Sequence, residues 1–390
     1  MNYRPFGKQD WQVSALGFGC MRLPVINGDD KAIDIDEATR MVRHAIDQGV
    51  NYIDTAYSYH GGKSEGFVGA TLKGGYRQKV RLATKMPTWL IGTNADFDLY
   101  LNRQLKRLKT DAIDFYLLHA LSSQRWEKIR SLGVREWAQK AIASGRIRAI
   151  GFSFHDTLPV FKQIIDENDQ WDFCQIQYNY LDTHRQAGID GLHYAASKGL
   201  AVVIMEPLLG GKLASPPEPV AEVFRSADPQ RTPADWALQW LWDQPEVSVV
   251  LSGMSTFEQV DQNLSSASRS KPGRMTASQL GVINQARTTF ENLGVIPCTK
   301  CQYCQPCPNG VLIPQIFELF NSGVVAQQMW MSHVLYNKFE STGRATSCID
   351  CGECEEKCPQ AIPISDWMPY LHKILSEKEK YDGRKTPNPS

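Results

Sequence analysis

Eight short apolar runs separated by longer segments of helical period constrain this chain more than any other feature. The runs are 15–20, 52–55, 80–85, 112–119, 148–152, 173–178, 201–205 and 248–252. Amphipathic stretches such as Asp36 to Gln48, Asp96 to Leu108, Ile129 to Ser144 and Pro233 to Asp243 lie between them, each long enough for a helix. Apolar strands alternating with helices argue for βα units on a parallel sheet. Eight units in a row favour a closed (β/α)8 TIM barrel over an open doubly wound sheet. The lack of a Gly-x-Gly-x-x-Gly turn after the first run weighs the same way. Tyr3 to Val13 precede the first strand and are expected to form a hairpin closing the barrel floor.

A second region begins near residue 295. A helical stretch, Ala277 to Asn292, ends at Gly294, and beyond it eight of the ten cysteines crowd between Cys298 and Cys358. The expected division is a barrel over 1–294, a mostly helical domain over 295–380 and a polar, disordered tail over 381–390. Helices are expected at Ile313 to Asn321, Ala326 to Lys338 and Ile364 to Lys380. The remaining thiols, Cys20 and Cys174, sit in apolar runs and are assigned to the core.

The charge balance, 42 basic against 42 acidic residues, provides no field to draw nucleic acid or an anionic membrane. No apolar run reaches the roughly 20 residues that span a bilayer. The first residues lack the apolar stretch of a secretory signal, so the expected compartment is the cytoplasm.

Three of the early strands finish on a chemically capable side chain: Asp54, Lys85 and His119. Barrel strand ends converge on one pocket, so these three are expected together, with Tyr59 from the loop after the second strand. Taken singly, each has a structural reading: a turn cap, a snorkelling lysine, a hydrogen-bonded core histidine and a half-buried phenol. Taken together, a lysine and an aspartate at apolar strand ends are costly to bury unless paired, and such a pair beside a phenol moves its pKa.

The run Asp54-Thr-Ala-Tyr57-Ser-Tyr59, followed by Lys85 and His119 on the next two strand ends, resembles the aldo-keto reductase tetrad. Gly61-Gly-Lys-Ser-Glu65, Asp114-Phe-Tyr-Leu-Leu-His119 and Gly151-Phe-Ser153 fit the same family, so the resemblance covers roughly residues 1–290. It implies that Tyr59 is the general acid to a carbonyl oxygen, that Lys85 paired with Asp54 lowers the phenol's pKa, and that His119 orients the carbonyl.

The resemblance also implies a nicotinamide cofactor, NADPH or NADH. Ser153 and Gln175 match the residues that hold its carboxamide, while Phe154 replaces an asparagine usual in the family. Met205 stands where an aromatic ring commonly stacks, and Glu206, Pro207 and Leu208 follow it. Gly253 and Gln259 stand where NADPH-using members carry Lys and Arg for the 2'-phosphate, so selectivity for NADPH is weakened. The helix from Thr256 offers its N-terminal amides to the cofactor's phosphates, and Gln262 and Asn263 match adenine-side residues. Trp89 and Trp126 are candidates to line the substrate pocket, or to be packed surface residues.

The cysteines read Cys298-x-x-Cys301-x-x-Cys304-x-x-Cys307-Pro308 and Cys348-x-x-Cys351-x-x-Cys354-x-x-x-Cys358-Pro359. The second run has the bacterial ferredoxin spacing, in which three cysteines bind one cluster and the fourth reaches another. Crossing places Cys298, Cys301, Cys304 and Cys358 on one [4Fe-4S] cluster and Cys348, Cys351, Cys354 and Cys307 on a second. Two zinc sites, each of four thiolates, are the alternative. The domain resembles the helical ferredoxin modules of multi-subunit oxidoreductases.

Three functions remain open at this point. The clusters exchange electrons with a ferredoxin-like partner while the barrel acts on a small carbonyl or alcohol, or they are structural or redox-sensing beside a stand-alone carbonyl reductase, or the barrel is a non-catalytic scaffold.

Overall fold

The computed structural model describes residues 1–390 apart from Gln327, Lys385 and 388–390. Strands β1 (Tyr3–Phe6) and β2 (Gln9–Ser14) form an antiparallel hairpin. The barrel follows as β3 (Leu16–Gly19), β4 (Tyr52–Asp54), β5 (Arg81–Met86), β6 (Ile113–Leu121), β7 (Ile147–Phe154), β8 (Phe173–Gln177), β9 (Ala201–Met205) and β10 (Val247–Gly253). All neighbours are parallel, and β10 closes on β3 with Val250 opposite Leu16. Each apolar run of the sequence has become one barrel strand.

Side chains alternate across a strand, so every second residue faces the barrel interior. The inner layer near the floor is Tyr52, Ala83, Phe115, Leu117, Ala149, Phe173, Ala201, Val203, Val249 and Leu251. The hairpin fills this layer from below, as expected. Phe6 is fully buried with its ring 4.5 Å from Phe115 and 5.6 Å from Phe173. The next inward positions along the strands, past Gly151 on β7, bring Asp54, Lys85, His119, Ser153, Gln175 and Met205 to the opposite end. Packing of the floor thus positions the site above it.

The other strand face packs on the surrounding helices through residues such as Ile53, Leu82, Tyr116, Ile150, Cys174 and Val202. Cys20 and Cys174 are buried free thiols. The single helix expected over Ile129 to Ser144 is two, Ser123–Ser131 and Val134–Ala143, because Gly133 between them takes a φ of +80° that a continuing helix cannot accommodate.

Two compact units emerge. One comprises Met1–Leu208 with Asp235–Thr276, and the other Leu209–Ala234 with the chain from Ala277 onward. The helices Glu218–Ala227 and Ala277–Asn292, which the sequence division placed with the barrel, pack together in the second unit. That unit has its own core, built from Ile313, Ile316, Phe317 and Phe320 of the helix Ile313–Val325 and from Ile364, Trp367, Leu371 and Ile374 of the helix Ile364–Leu375. The helix expected from Ala326 is shorter, Trp330–Tyr336. The tail differs from expectation in its described part. Tyr381 lies edge-on to Phe320 at 5.2 Å and its hydroxyl donates to the Gly294 carbonyl at 3.1 Å. Lys385 and 388–390 lie outside the described residues. Among the described residues no helix is long and apolar enough to cross a membrane.

Gly151 shows how tight the interior is. A Cβ added there would stand 2.5 Å from the Phe173 carbonyl oxygen and 2.7 Å from its ring. Gly151→Ala is expected to cost about 1–3 kcal/mol through overpacking, read as a lowered thermal midpoint; an unchanged midpoint would show that the wall yields freely.

Candidate active site

The pocket is organised by one buried ion pair. Lys85 Nζ donates to both oxygens of Asp54, at 2.6 and 2.8 Å, and to the Thr55 carbonyl at 2.9 Å. A further contact at 3.3 Å reaches the Tyr59 hydroxyl. Lys85 is 1 % exposed and Asp54 3 %. Burial lowers the lysine's pKa and raises the aspartate's, and each partner opposes the shift in the other. Tyr59 begins the short helix Tyr59–Gly62, where His60 takes a left-handed φ of +52°. Burial, then the Asp54 carboxylate, then Glu206, hold the phenol well above its ordinary pKa, with Arg22 opposing. Burial and the two carboxylates outweigh Arg22, the cation that opposes them.

His119 is buried from β6, its ring edge-on to Tyr59 at 6.2 Å and 5.1 Å from Trp89. Burial first, then Lys85, His155 and Arg125, push its pKa well below the usual value, so the imidazole is neutral. Trp89 stands at this pocket, 40 % exposed, with Arg125 over its ring. Trp126 does not. It is buried against Trp171 and its indole N–H donates to Glu167 at 2.6 Å, which makes it a packing residue.

Behind Lys85 runs a polar layer that sequence reasoning passed over. Gln104 accepts from the Tyr116 hydroxyl at 2.6 Å and donates to the Lys85 carbonyl at 2.9 Å and to Glu65 at 2.5 Å. Thr84 and Arg107 complete the shell around the fully buried Glu65, at 2.8 and 3.2 Å. Glu65 lay inside a quoted motif and Gln104 sits in an amphipathic helix, yet no spacing signal links them.

The positions carried over for a nicotinamide divide into two groups. Ser153 on β7 and Gln175 on β8 are register partners, and Gln175 lies one strand from Met205 on β9. Ser153 Oγ accepts from the Ala120 amide at 2.7 Å. Gln175 Nε2 reaches the Met205 sulfur at 3.5 Å, while its buried Oε1 has no partner among the described residues. Such an orphaned acceptor fits a carboxamide N–H2. Phe154 is fully buried in the outer core, and Leu208 packs against that core. Glu206 has a left-handed φ of +53° and its carbonyl accepts from Asn179.

Gly253 ends β10, covered by the stem of Arg22, a cation the sequence reading did not single out. Thr256 caps the helix Phe257–Ser268 by accepting from the Gln259 amide, and Gln259 Oε1 accepts from the Ser255 amide at 2.8 Å. Asn263 donates to Ser252 Oγ at 3.0 Å, and Gln262 bonds Glu258 one turn away on the exposed face.

The eight clustered cysteines surround two cavities of the second unit. Cys298, Cys301, Cys304 and Cys358 line one, with Ile313, Phe317 and Ile364. Cys307, Cys348, Cys351 and Cys354 line the other, where Cys304 also reaches. Apart from Cys304, each cavity is lined by the thiols of one crossed quartet. Asn321 holds the approach to Cys298 by pairing with both the amide and the carbonyl of Ile296 at 2.8 Å.

This architecture defines a class, the barrel oxidoreductases with an appended iron–sulfur domain. More particularly, the chain belongs to the Aldo/keto reductase family, whose profile matches residues 15–278, and a 4Fe-4S dicluster domain matches residues 297–362. It is similar to L-galactose dehydrogenase of Arabidopsis thaliana, 27 % identical over 309 residues, 74 % of this chain and 95 % of that protein. Aldo-keto reductase AKR11C1 from Bacillus halodurans, in its holo form, superposes with a TM-score of 0.61 at 28 % identity, covering 73 % of this chain and 96 % of that one. An aldo/keto reductase from Klebsiella pneumoniae, solved in complex with NADP and acetate, shares the fold with a TM-score of 0.59 at 24 % identity over 73 % of this chain and 94 % of that one.

Removing one member of a buried ion pair strands the other. Lys85→Met is expected to destabilise the protein by about 3–5 kcal/mol in denaturant titration, and Asp54→Leu/Lys85→Met to recover most of that. A single substitution as mild as the double would contradict the pairing.

Proposed function

We propose that the barrel transfers hydride between NAD(P)H and a small carbonyl or alcohol, with Tyr59 as general acid and base. The observation that carries this reading is the placement of Lys85 Nζ against both Asp54 oxygens and, at 3.3 Å, the Tyr59 hydroxyl. A nicotinamide held by Ser153 and Gln175 would supply the hydride. The chain's own residues manage everything else. The raised pKa keeps Tyr59 protonated at neutral pH, which is the form a proton donor needs. As the proton leaves, the phenolate faces the Lys85 ammonium, which favours the charged state when it forms rather than before. Neutral His119 can orient the carbonyl without competing as an acid.

Met205 offers a thioether face to the ring, and the backbone at Thr256 offers amides to phosphate. With Gly253 and Gln259 lacking charge, the reading is use of either NADH or NADPH. The Klebsiella relative's complex with NADP supports a nicotinamide cofactor for this barrel.

The cysteine quartets support two [4Fe-4S] clusters, with Cys298, Cys301, Cys304 and Cys358 on one and Cys307, Cys348, Cys351 and Cys354 on the other. Bound there, the clusters would supply one-electron chemistry. The thiols stand around cavities with apolar walls instead of converging on one point, which favours cubane clusters over zinc. Two clusters would provide two single electrons, which together with one proton from water equal one hydride, so we assign them to electron exchange with a partner carrier.

Tyr59→Phe is expected to lower kcat for NAD(P)H-dependent carbonyl reduction by about 10²–10⁴-fold, with cofactor affinity and iron content retained. Unchanged turnover would sink the tetrad mechanism. Anaerobically reduced protein should be reoxidised by NAD(P)⁺ with carbonyl substrate, followed by its visible absorption; spectra that stay fixed through turnover would assign the clusters a structural role.

A further inference from the structure

We propose that the outer edge of the segment from Cys348 to Cys358 is the docking face for a small one-electron carrier protein whose own contact face is rimmed by lysines. The inference rests on the reading that the quartets hold electron-passing clusters. It begins with Ile349, which is 68 % exposed although it follows directly on the ligand position Cys348. A lone exposed isoleucine needs no explanation. This one stands beside Cys351, the one exposed thiol among the ten cysteines. The wall of the second quartet is therefore at the surface, under an apolar tip.

The same segment carries charge, and Glu353 and Lys357 line the cavity that Ile349 lines. Asp350, Glu353 and Glu356 are exposed. Glu355 is half-buried and accepts from the amide and hydroxyl of Ser365 at 2.7 and 2.6 Å. The one basic residue of the segment, Lys357, lies 3.5 Å from Glu353. A strongly acidic patch in a chain of zero net charge is a local feature, not a consequence of composition. The run from Cys298 to Cys307 lacks it, since its one charged residue is Lys300, which is paired with Glu318.

An apolar centre with a charged rim is the form of a transient redox contact, in which the rim steers encounter and the centre desolvates easily. Electron transfer falls steeply with distance, which favours the quartet that reaches the surface. The sign of the rim selects a basic partner. It also disfavours a second copy of this chain, because a twofold contact through this face would set acid against acid. The reaction balances simply: one electron leaves the reduced cluster and enters the carrier's centre, with no bond made and no proton required.

The test uses the full iron-loaded chain and cytochrome c as a lysine-rimmed probe. With both proteins oxidised, calorimetric titration at low ionic strength reads affinity without turnover. Glu353→Lys/Glu356→Lys is expected to weaken binding about tenfold or more, and Ile349→Ser several-fold. Added salt should weaken the unaltered pair, while Asp169→Lys, a reversal on the barrel at an 87 % exposed position, should change little. Asp350→Asn/Glu356→Gln serves as a milder second variant, and iron and sulfide content checks that every variant is loaded. Affinity indifferent to these charges and to salt would overturn the proposal. So would a dimer in sedimentation that Ile349→Ser dissociates. Either result with iron, sulfide and reducible clusters intact leaves the cluster reading standing, whereas absent iron and sulfide would remove that reading itself.

Discussion

The barrel end is arranged around the ammonium of Lys85. A lysine excluded from water at the end of an apolar strand must find an anion and further acceptors or lose its charge. Here both Asp54 oxygens and the Thr55 carbonyl meet it. This demand explains why β4 and β5 are neighbours in register at Asp54 and Ala83. It also explains the polar shell behind them. Gln104 grips the Lys85 carbonyl, and Glu65 is held in turn by Gln104, Thr84 and Arg107. Each buried polar atom of that layer has a partner, so the strand end is fixed from behind while its ammonium faces the pocket. A buried pair of this kind is weak as a source of stability but strong as a positioning device, since a displaced partner leaves a bare charge.

The rest of the site follows from strand periodicity. The Phe6 plug and the Phe115 and Phe173 rings fill one inward layer. The next inward residues are those with chemistry. A one-residue slip in any strand would exchange an inward functional residue for an outward core residue, so packing on both faces enforces the register. Gly151 belongs to the same logic: it is small because Phe173 occupies the space its side chain would need.

Much of this was legible because it depends on local pattern. Eight apolar runs became eight strands, and Asp54, Lys85, Tyr59 and His119 met because strand ends in a closed barrel converge. The crossed cysteine grouping was an expectation from the ferredoxin spacing, and the thiols line two cavities in that arrangement except for Cys304, which reaches both. What escaped depends on three-dimensional context. Trp126 was indistinguishable from Trp89 in sequence, yet one is locked to Glu167 and the other stands by His119. The break at Gly133 lay within a continuous helical period. Gln104 and Arg22 act through neighbours far along the chain, and no single-sequence pattern marks such partners. The direction of the Tyr59 shift required knowing how completely the phenol is buried, because desolvation and the nearby carboxylates push it up while the Arg22 guanidinium opposes them.

The same competition ties the two chemistries together. In the barrel, burial holds the Tyr59 phenol's pKa up while the Lys85 ammonium stands 3.3 Å from its hydroxyl. In the cysteine domain the contrast lies between its two quartets. Lys300 stands beside Cys301, whereas Cys351 is exposed on a segment that carries Ile349 and the carboxylates Asp350, Glu353, Glu355 and Glu356. Negative charge near a cluster site favours the more oxidised, less negative state, and positive charge the reverse. A cluster held by Cys348, Cys351 and Cys354 would therefore be favoured by its acidic edge in the oxidised state, the state left once an electron has passed outward.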